Sequence, residues 1–263
     1  MYHIVTNDNP YDVIVCGCGS AGFCAAVAAA RNGAKTAVIE KYTTPGGILT
    51  VLGNNSIDQF NNPFRKENKM VIAGIGWDYV RTLHRDGFAR IPDMNAAYEN
   101  HAQYGVKVNP VAAAKVMDDM LIDAGVDLYY GQPVVEAETD GRTLRSVLIS
   151  TKDGIRRLTA SVFIDCTGDG DLAHFSGAAT WNGDGNGTYQ PGTLRFYPAV
   201  SAEPSDRILN YGDNRNHVKL DPTDSDAVTK SEIASRQMLY SEMLKGTQIM
   251  ASAPAVAPRE GRR

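Results

Sequence analysis

YDVIVCGCGSAGFCAAVAAARNGAKTAVIEK, residues Tyr11 to Lys41, decides the fold of this chain, because it spells a strand, a glycine turn, a helix and a second strand in order. Tyr11 to Cys16 is a short apolar run rich in β-branched residues, the pattern of a central buried strand. It leads straight into Gly17, Gly19 and Gly22 at G-x-G-x-x-G spacing. In that arrangement the first glycine permits the tight turn, the second lets the backbone approach a pyrophosphate, and the third lets the following helix lie close to the strand. The helix is Ala-rich and runs from about Ser20 to Arg31, and the free amides of its first turn, at Ser20, Ala21 and Gly22, form an anion site. Asn32 and Gly33 stop it. Thr36 to Ile39 form the next strand, with Glu40 at its end where a carboxylate holds ribose hydroxyls, and Lys41 beside it.

The rest of the composition narrows the partners. With 263 residues, 43% of them hydrophobic and 21% charged, the chain has material for one large or two ordinary globular domains. A net charge of −4 and the lack of a concentrated Lys/Arg stripe leave no electrostatic reason to bind nucleic acid or an anionic membrane. The start MYHIVTNDNP carries no basic segment followed by an apolar one, and no stretch is long enough to span a bilayer, so a cytoplasmic location is the expectation. The cysteines Cys16, Cys18, Cys24 and Cys166 fall in or beside the nucleotide-binding elements and read as small buried residues, not a disulfide framework. Cys16 and Cys18 are one residue apart, which matches neither a redox CxxC pair nor a zinc or iron–sulfur spacing, so no metal is expected.

Glu40 suits the adenosine ribose of NAD or of FAD, and the first unit alone does not choose between them. Pro45, Gly46 and Gly47 add a second flexible backbone stretch where an extended FAD needs main-chain approach. Ser161 to Cys166 is another apolar strand, ending in Thr167-Gly168-Asp169-Gly170-Asp171 and a helical run from Leu172 to Ser176. Together these segments resemble the flavoproteins with two dinucleotide-binding domains. More narrowly, the chain is similar to the FAD-dependent oxidoreductases related to the fumarate reductase and heterodisulfide reductase flavoproteins. The residues that carry this likeness are Gly46-Gly47-Ile48-Leu49-Thr50, Asn109-Pro110, Ile164 to Asp171 and Gln190 to Leu194.

The resemblance implies an α/β fold: a Rossmann-like FAD-binding domain with a parallel sheet and an antiparallel meander, and a partial α+β substrate or cap domain. It implies FAD as cofactor, held by Gly17, Gly19, Ser20, Ala21, Gly22, Glu40, Lys41, Gly46, Gly47, Thr50, Thr167, Gly168 and Asp169, with the backbone of Val134 toward the adenine. Two departures stand out: Asn54-Asn55-Ser56 replaces a Gly-rich continuation, and Cys16 and Cys18 stand where small aliphatic residues are commoner. Disulfide reductases with a similar glycine turn are excluded, since no cysteine lies between Lys41 and Arg65 and no second G-x-G-x-x-G follows.

The expected organisation is a discontinuous FAD-binding domain over 1–50 and 105–177, a cap or substrate-side domain over 51–104 and 178–250, and a return segment over 251–263 cut short within a motif. Helices are expected over Trp77 to His84, Pro110 to Ala124 with Val111, Ala114, Met117, Leu121 and Ile122 as its apolar members, and Ser225 to Leu244 with Ile233, Met238, Leu239, Met243 and Leu244. Asp127 to Tyr130, Val134 to Ala137, Leu144 to Thr151, Arg156 to Phe163 and Thr193 to Val200 read as strands, and Asp221 to Asp226 as a polar linker. A flavin carries redox chemistry itself, so no catalytic triad is expected. His84, His101, His174 and His217 are scattered, and Arg81, Arg85, Arg90 and Arg195 fall in the substrate-side segments, where a carboxylate clamp and ordinary surface ion pairs are both open readings. Two functions remain: an FAD-dependent oxidoreductase of a small organic substrate, and a truncated, non-catalytic FAD-binding module or subunit completed by another chain. A homo-oligomer is compatible with either.

Overall fold

The computed structural model describes residues 4–6, 9–51, 55–57, 60–62, 69–93, 105–182, 193–196, 224–244, 251–254 and 259–261. Asn54, His101, His217, Gln190 to Gly192, Tyr197 to Val200 and Asp221 to Thr223, all singled out above, and the parts 255–258 and 262–263 of the return segment lie outside the described residues. The chain divides into two compact units, Met1–Thr167 and Gly168–Arg263.

In the first unit the strands are β1 (Ile4–Thr6), β2 (Tyr11–Cys16), β3 (Thr36–Glu40), β4 (Ser56–Ile57), β5 (Asn61–Asn62), β6 (Lys69–Met70), β7 (Ala89–Arg90), β8 (Val106–Val108), β9 (Asp127–Tyr130), β10 (Val134–Asp140), β11 (Thr143–Thr151) and β12 (Gly154–Asp165). The helices are α1 (Ser20–Arg31), α2 (Ile75–Arg85) and α3 (Pro110–Asp123). The main sheet runs β10-β11-β12-β2-β3-β9, with β1 paired to β12 in parallel. Within it β9, β3, β2 and β12 are parallel, and in chain order that is third, second, first, fourth. The order reverses between β2 and β12, which makes their carboxyl ends a topological switch point, the place where open α/β sheets bind ligands.

The strands expected over Arg156 to Phe163 and Ser161 to Cys166 are one continuous strand, β12. Nothing in that stretch breaks an extended chain, so the backbone carries on while its partner changes. Gly154 to Thr159 pair antiparallel with β11, and Ala160 to Asp165 pair in parallel with β2. One strand therefore belongs to the meander and to the nucleotide-type sheet.

The helices share one core cluster on a face of the sheet. Phe23, Ala26 and Val27 of α1, Tyr79, Val80 and Leu83 of α2, and Ala113, Val116, Met117 and Leu121 of α3 pack together with Val15, Val38, Val106 and Val108. Phe23 meets Tyr79 at 5.5 Å and Phe60 meets Trp77 at 5.1 Å between ring centroids. The segment 51–104 thus delivers α2 into the same core as α1. Helix α3 begins where Asn109 accepts the amides of Val111 (3.0 Å) and Ala112 (3.1 Å), with Pro110 at the first helical position where its missing N–H costs nothing. Met117 and Leu121 are buried as expected, but the buried face is rotated at its edges: Val111 is 81% exposed and Ile122 61% exposed, while Ala113 and Val116 are buried. Several apolar stripes are available on so Ala-rich a helix, and contact with α1 and α2 selects among them.

The amino ends of the parallel strands are closed by side chains. The Tyr11 hydroxyl donates to Asp127 Oδ2 at 2.8 Å and lies 2.8 Å from the Tyr129 hydroxyl, their rings meeting edge-on. The Lys35 ammonium sits 4.9 Å from the centre of the Tyr11 ring and donates to the carbonyls of Asn9 and Pro10.

The second unit contains α4 (Asp171–Phe175), β13 (Thr180–Asn182), β14 (Thr193–Phe196), α5 (Ser225–Leu244), β15 (Ala251–Pro254) and β16 (Arg259–Gly261). Two antiparallel pairs form, β13 with β16 and β14 with β15. Asp224 caps α5 by accepting the amides of Asp226 and Ala227. Ile233 and Leu244, expected among its packing residues, are exposed together with Tyr240, because spacings of seven and four residues set all three on one outward face. Among the described residues no helix is long and apolar enough to cross a membrane.

Candidate functional site

The Gly-rich turn is built from the backbone outward. The Gly17 amide donates to Ile39 O and the Cys166 amide to Cys16 O, both at 2.7 Å, which locks the ends of β2, β3 and β12 together. Gly17 has φ +95°, and a Cβ there would stand 2.1 Å from Cys166 O and 2.8 Å from Thr167 Cα. At Gly22 a Cβ would stand 1.8 Å from Gly17 O. These two positions require glycine for the protein's own packing. Gly19 does not: its φ is −72° and a Cβ there meets nothing within 4 Å. Gly19 is also the N-cap of α1, with no side-chain cap and no acidic residue in the first turn. The first intrahelical bond runs from the Phe23 amide to Gly19 O, so the amides of Ser20, Ala21 and Gly22 precede it and point out of the helix end.

A second glycine loop folds onto the first. The Gly46 amide donates to Cys18 O at 2.7 Å, and the Cβ position of Gly47 lies 3.4 Å from Gly19 Cα. Thr50 stays inside this loop: its hydroxyl donates to Pro45 O and its side chain fills the space beside Gly46. Glu40, only 5% exposed, accepts the Cys18 amide on Oε2 (2.7 Å) and the Tyr42 amide on Oε1 (3.0 Å). Each carboxylate oxygen retains a second lone pair for a further donor. Lys41 is exposed, its ammonium 5.4 Å from the Tyr42 ring.

Behind Glu40, the turn from β9 to β10 is pinned on both sides. The Gly131 amide donates to Tyr42 O (2.8 Å), the Gln132 amide to Glu40 O (3.1 Å), and Pro133 O accepts from the Ser150 amide (3.0 Å). Val134 opens β10 opposite Ile149, just ahead of a register shift. Gln132 escaped the sequence reading. Its side-chain Oε1 is buried and, among the described residues, shares with the Tyr79 hydroxyl the distinction of having no hydrogen-bond partner.

The distal turn is split between the units. Asp165 Oδ1 accepts both the amide (3.0 Å) and the hydroxyl (2.8 Å) of Thr167, an Asx turn that ends the first unit. Gly168, with φ +80°, and Asp169 begin the second. The structure therefore brings Gly17, Gly19, Ser20, Ala21, Gly22, Glu40, Gly46, Gly47, Thr50 and Thr167 to one rim, with Val134 beyond the Gln132 turn.

All four cysteines are free thiols. Burial pushes Cys16 and Cys18 far above the ordinary thiol value, and it raises Cys24 and Cys166 as well. The Cys18 thiol also hydrogen-bonds the Tyr130 phenol, which donates to Asp118 Oδ1 at 2.8 Å. Cys16 and Cys18 are enclosed, and a thiol raised by burial is a poor nucleophile. Elsewhere Arg85 is paired with Asp86 at 2.8 Å, Arg81 lies 4.0 Å from Asp78, and His84 Nδ1 hydrogen-bonds Ala89 O.

A family model described as "FAD dependent oxidoreductase" matches residues 12–255. No curated protein matches the chain. Solved structures do. A geranylgeranyl bacteriochlorophyll reductase-like protein from Thermoplasma acidophilum is 17% identical with a TM-score of 0.51, over 77% of this chain and 49% of that one. L-proline dehydrogenase from P. horikoshii is 11% identical with a TM-score of 0.54, over 95% of this chain and 82% of that one. The flavin-dependent brominase Bmp2, as a triple mutant, is 14% identical with a TM-score of 0.50, over 74% and 48%. These likenesses are of fold, and the chain spans about half the length of the reductase-like protein and of the brominase.

Proposed function

The chain belongs to the FAD dependent oxidoreductase family, and from that membership we propose that it binds FAD across the rim of β2, β3 and β12 and oxidises or reduces a small organic substrate. The open Cβ position at Gly19 carries this reading. A Cβ there would meet nothing within 4 Å at an ordinary φ, so the protein's own packing does not demand glycine, and the open space lies beside three outward amides at the positive end of a 12-residue helix. A diphosphate fits that chemistry. Glu40 receives ribose hydroxyls on the lone pairs its two amide bonds leave over, and the same two bonds hold the turn in shape before any ligand arrives.

Gly46 and Gly47 offer main-chain approach along the extended cofactor, with Thr50 holding their loop. Val134 presents its backbone toward the adenine, and Lys41 and Thr167 complete the set within the first unit. When bound, FAD supplies the hydride or electron transfer itself. This chain's contribution is to bind and orient.

An absorbance spectrum of the purified chain tests the reading. Flavin bands that bleach on dithionite and return in air support it. A colourless protein that takes up no added FAD overturns it.

A further inference from the structure

Buried polar atoms are paired almost without exception in folded proteins, so an unpaired one at the rim of a binding site calls for an explanation. Gln132 Oε1 is such an atom. Its residue is held in place by backbone bonds alone: its own amide reaches Glu40 O, and the flanking Gly131 amide and Pro133 carbonyl are tied to Tyr42 and Ser150. Those three bonds fix the backbone from which the side chain projects. A free amide oxygen is an acceptor only. Here it is buried without a protein partner, and the residue's own backbone amide is bonded to Glu40 O just past the carboxyl end of β9.

Resting on the FAD reading above, we infer that Gln132 Oε1 accepts a hydrogen bond from the adenosine half of the cofactor, either from the exocyclic amine of adenine or from a ribose hydroxyl. Gln132 then discriminates a flavin bearing adenosine from one without it. A ligand that brings the donor satisfies a group already desolvated, so the bond is worth more than one formed at an exposed site. A ligand that lacks the donor leaves the oxygen as it stands.

The test compares affinities of the apo chain for FAD, FMN and ADP in wild type, Gln132→Leu and Gln132→Glu, alongside the apo melting temperature of each. Gln132→Leu is expected to weaken FAD and ADP about tenfold, with FMN unchanged. Gln132→Glu keeps an acceptor but sets a second carboxylate beside Glu40, so its loss of ADP affinity is expected to grow as pH rises, a trend the neutral Gln132→Leu does not show. Equal FAD affinity in wild type and Gln132→Leu overturns the inference, as does an equal loss for FMN. Wild-type protein that takes up no FAD removes this inference together with the reading it rests on, whereas wild type that binds FAD while Gln132→Leu binds it equally well removes this inference alone.

A second arm needs no variant. Wild type preferring ADP over inosine 5′-diphosphate assigns the adenine amine as donor, and a loss with 2′- or 3′-deoxy-ADP assigns a ribose hydroxyl. Binding all four alike overturns the inference whatever the variants do.

Discussion

The two ends of the parallel sheet are finished in opposite ways. At the amino end, side chains satisfy one another: Tyr11 with Asp127 and Tyr129, and Lys35 with two carbonyls and the Tyr11 ring. At the carboxyl end, backbone bonds brace the loops and leave groups unmatched: three helix amides, the vacant Cβ slot of Gly19 and the Gln132 oxygen. An end that completes itself serves stability, and an end that stops short of completion is shaped for a ligand. Substitutions should separate accordingly, melting temperature responding at one end and affinity at the other.

Gly22→Ala is the severest challenge, because it belongs to the ligand end by place and to the fold by packing. A Cβ 1.8 Å from Gly17 O cannot be relieved by a side-chain rotation, and the expected cost is about 3 kcal/mol, or about 10 °C in melting temperature. A shift under 2 °C would erase the distinction drawn among the three glycines. Gly19→Ser comes next. Serine is a good N-cap and its Cβ meets no protein atom within 4 Å, so the apo melting temperature should stay within about 2 °C, whereas FAD affinity falls about 100-fold, near 2.7 kcal/mol, on titration.

Tyr11→Phe reverses that pattern. Losing the hydroxyl leaves Asp127 and Tyr129 without their shared partner at a cost of about 1.5 kcal/mol, read by chemical denaturation, with an unchanged FAD dissociation constant. A weakened dissociation constant would mean that the two ends are coupled.

The smallest effect lies in the meander, away from both. Arg157 forks onto Glu138, Nε to Oε2 and Nη2 to Oε1, each at 2.6 Å, and with Ser146 it holds Glu138 below its ordinary value of 4.5. A depressed carboxyl contributes stability that is present above that value and is lost as pH falls through the folded one. Both side chains are about one third exposed, 29% and 34%, so solvent screening limits the pair to about 1 kcal/mol or less. Glu138→Gln should therefore lower stability slightly at pH 7, and the gap to wild type should close as a denaturation series is taken below pH 4.5.

How legible the molecule is from its residues depends on whether a local rule or a contact makes the decision. Helix α1 and strand β3 are readable because Gly19 and Asn32-Gly33 punctuate them and their apolar runs suit a buried parallel sheet. Asn109-Pro110 announces α3 for the same kind of reason, but which side of α3 is buried depends on where α1 and α2 lie, so Val111 and Ile122 prove exposed. No turn residue marks a break in β12, yet Arg156 to Phe163 and Ser161 to Cys166 read as two strands, because the sequence does not show that one backbone run changes partner from β11 to β2. Glu40 is recognisable by its place after β3. Its bracing of Cys18 and Tyr42 is a property of three-dimensional closure, as is the isolation of the Gln132 oxygen, which no spacing encodes.

Strand β12 carries one further consequence. Since Gly154 to Asp165 run unbroken from the meander into the nucleotide-type sheet, neither half can lose its hydrogen bonds without fraying a strand the other needs. Amide protons of β11 and of β2 should then exchange with deuterium at matching opening free energies, as one cooperative block. A proline at Ala160, where the partner changes, would cut that block in two.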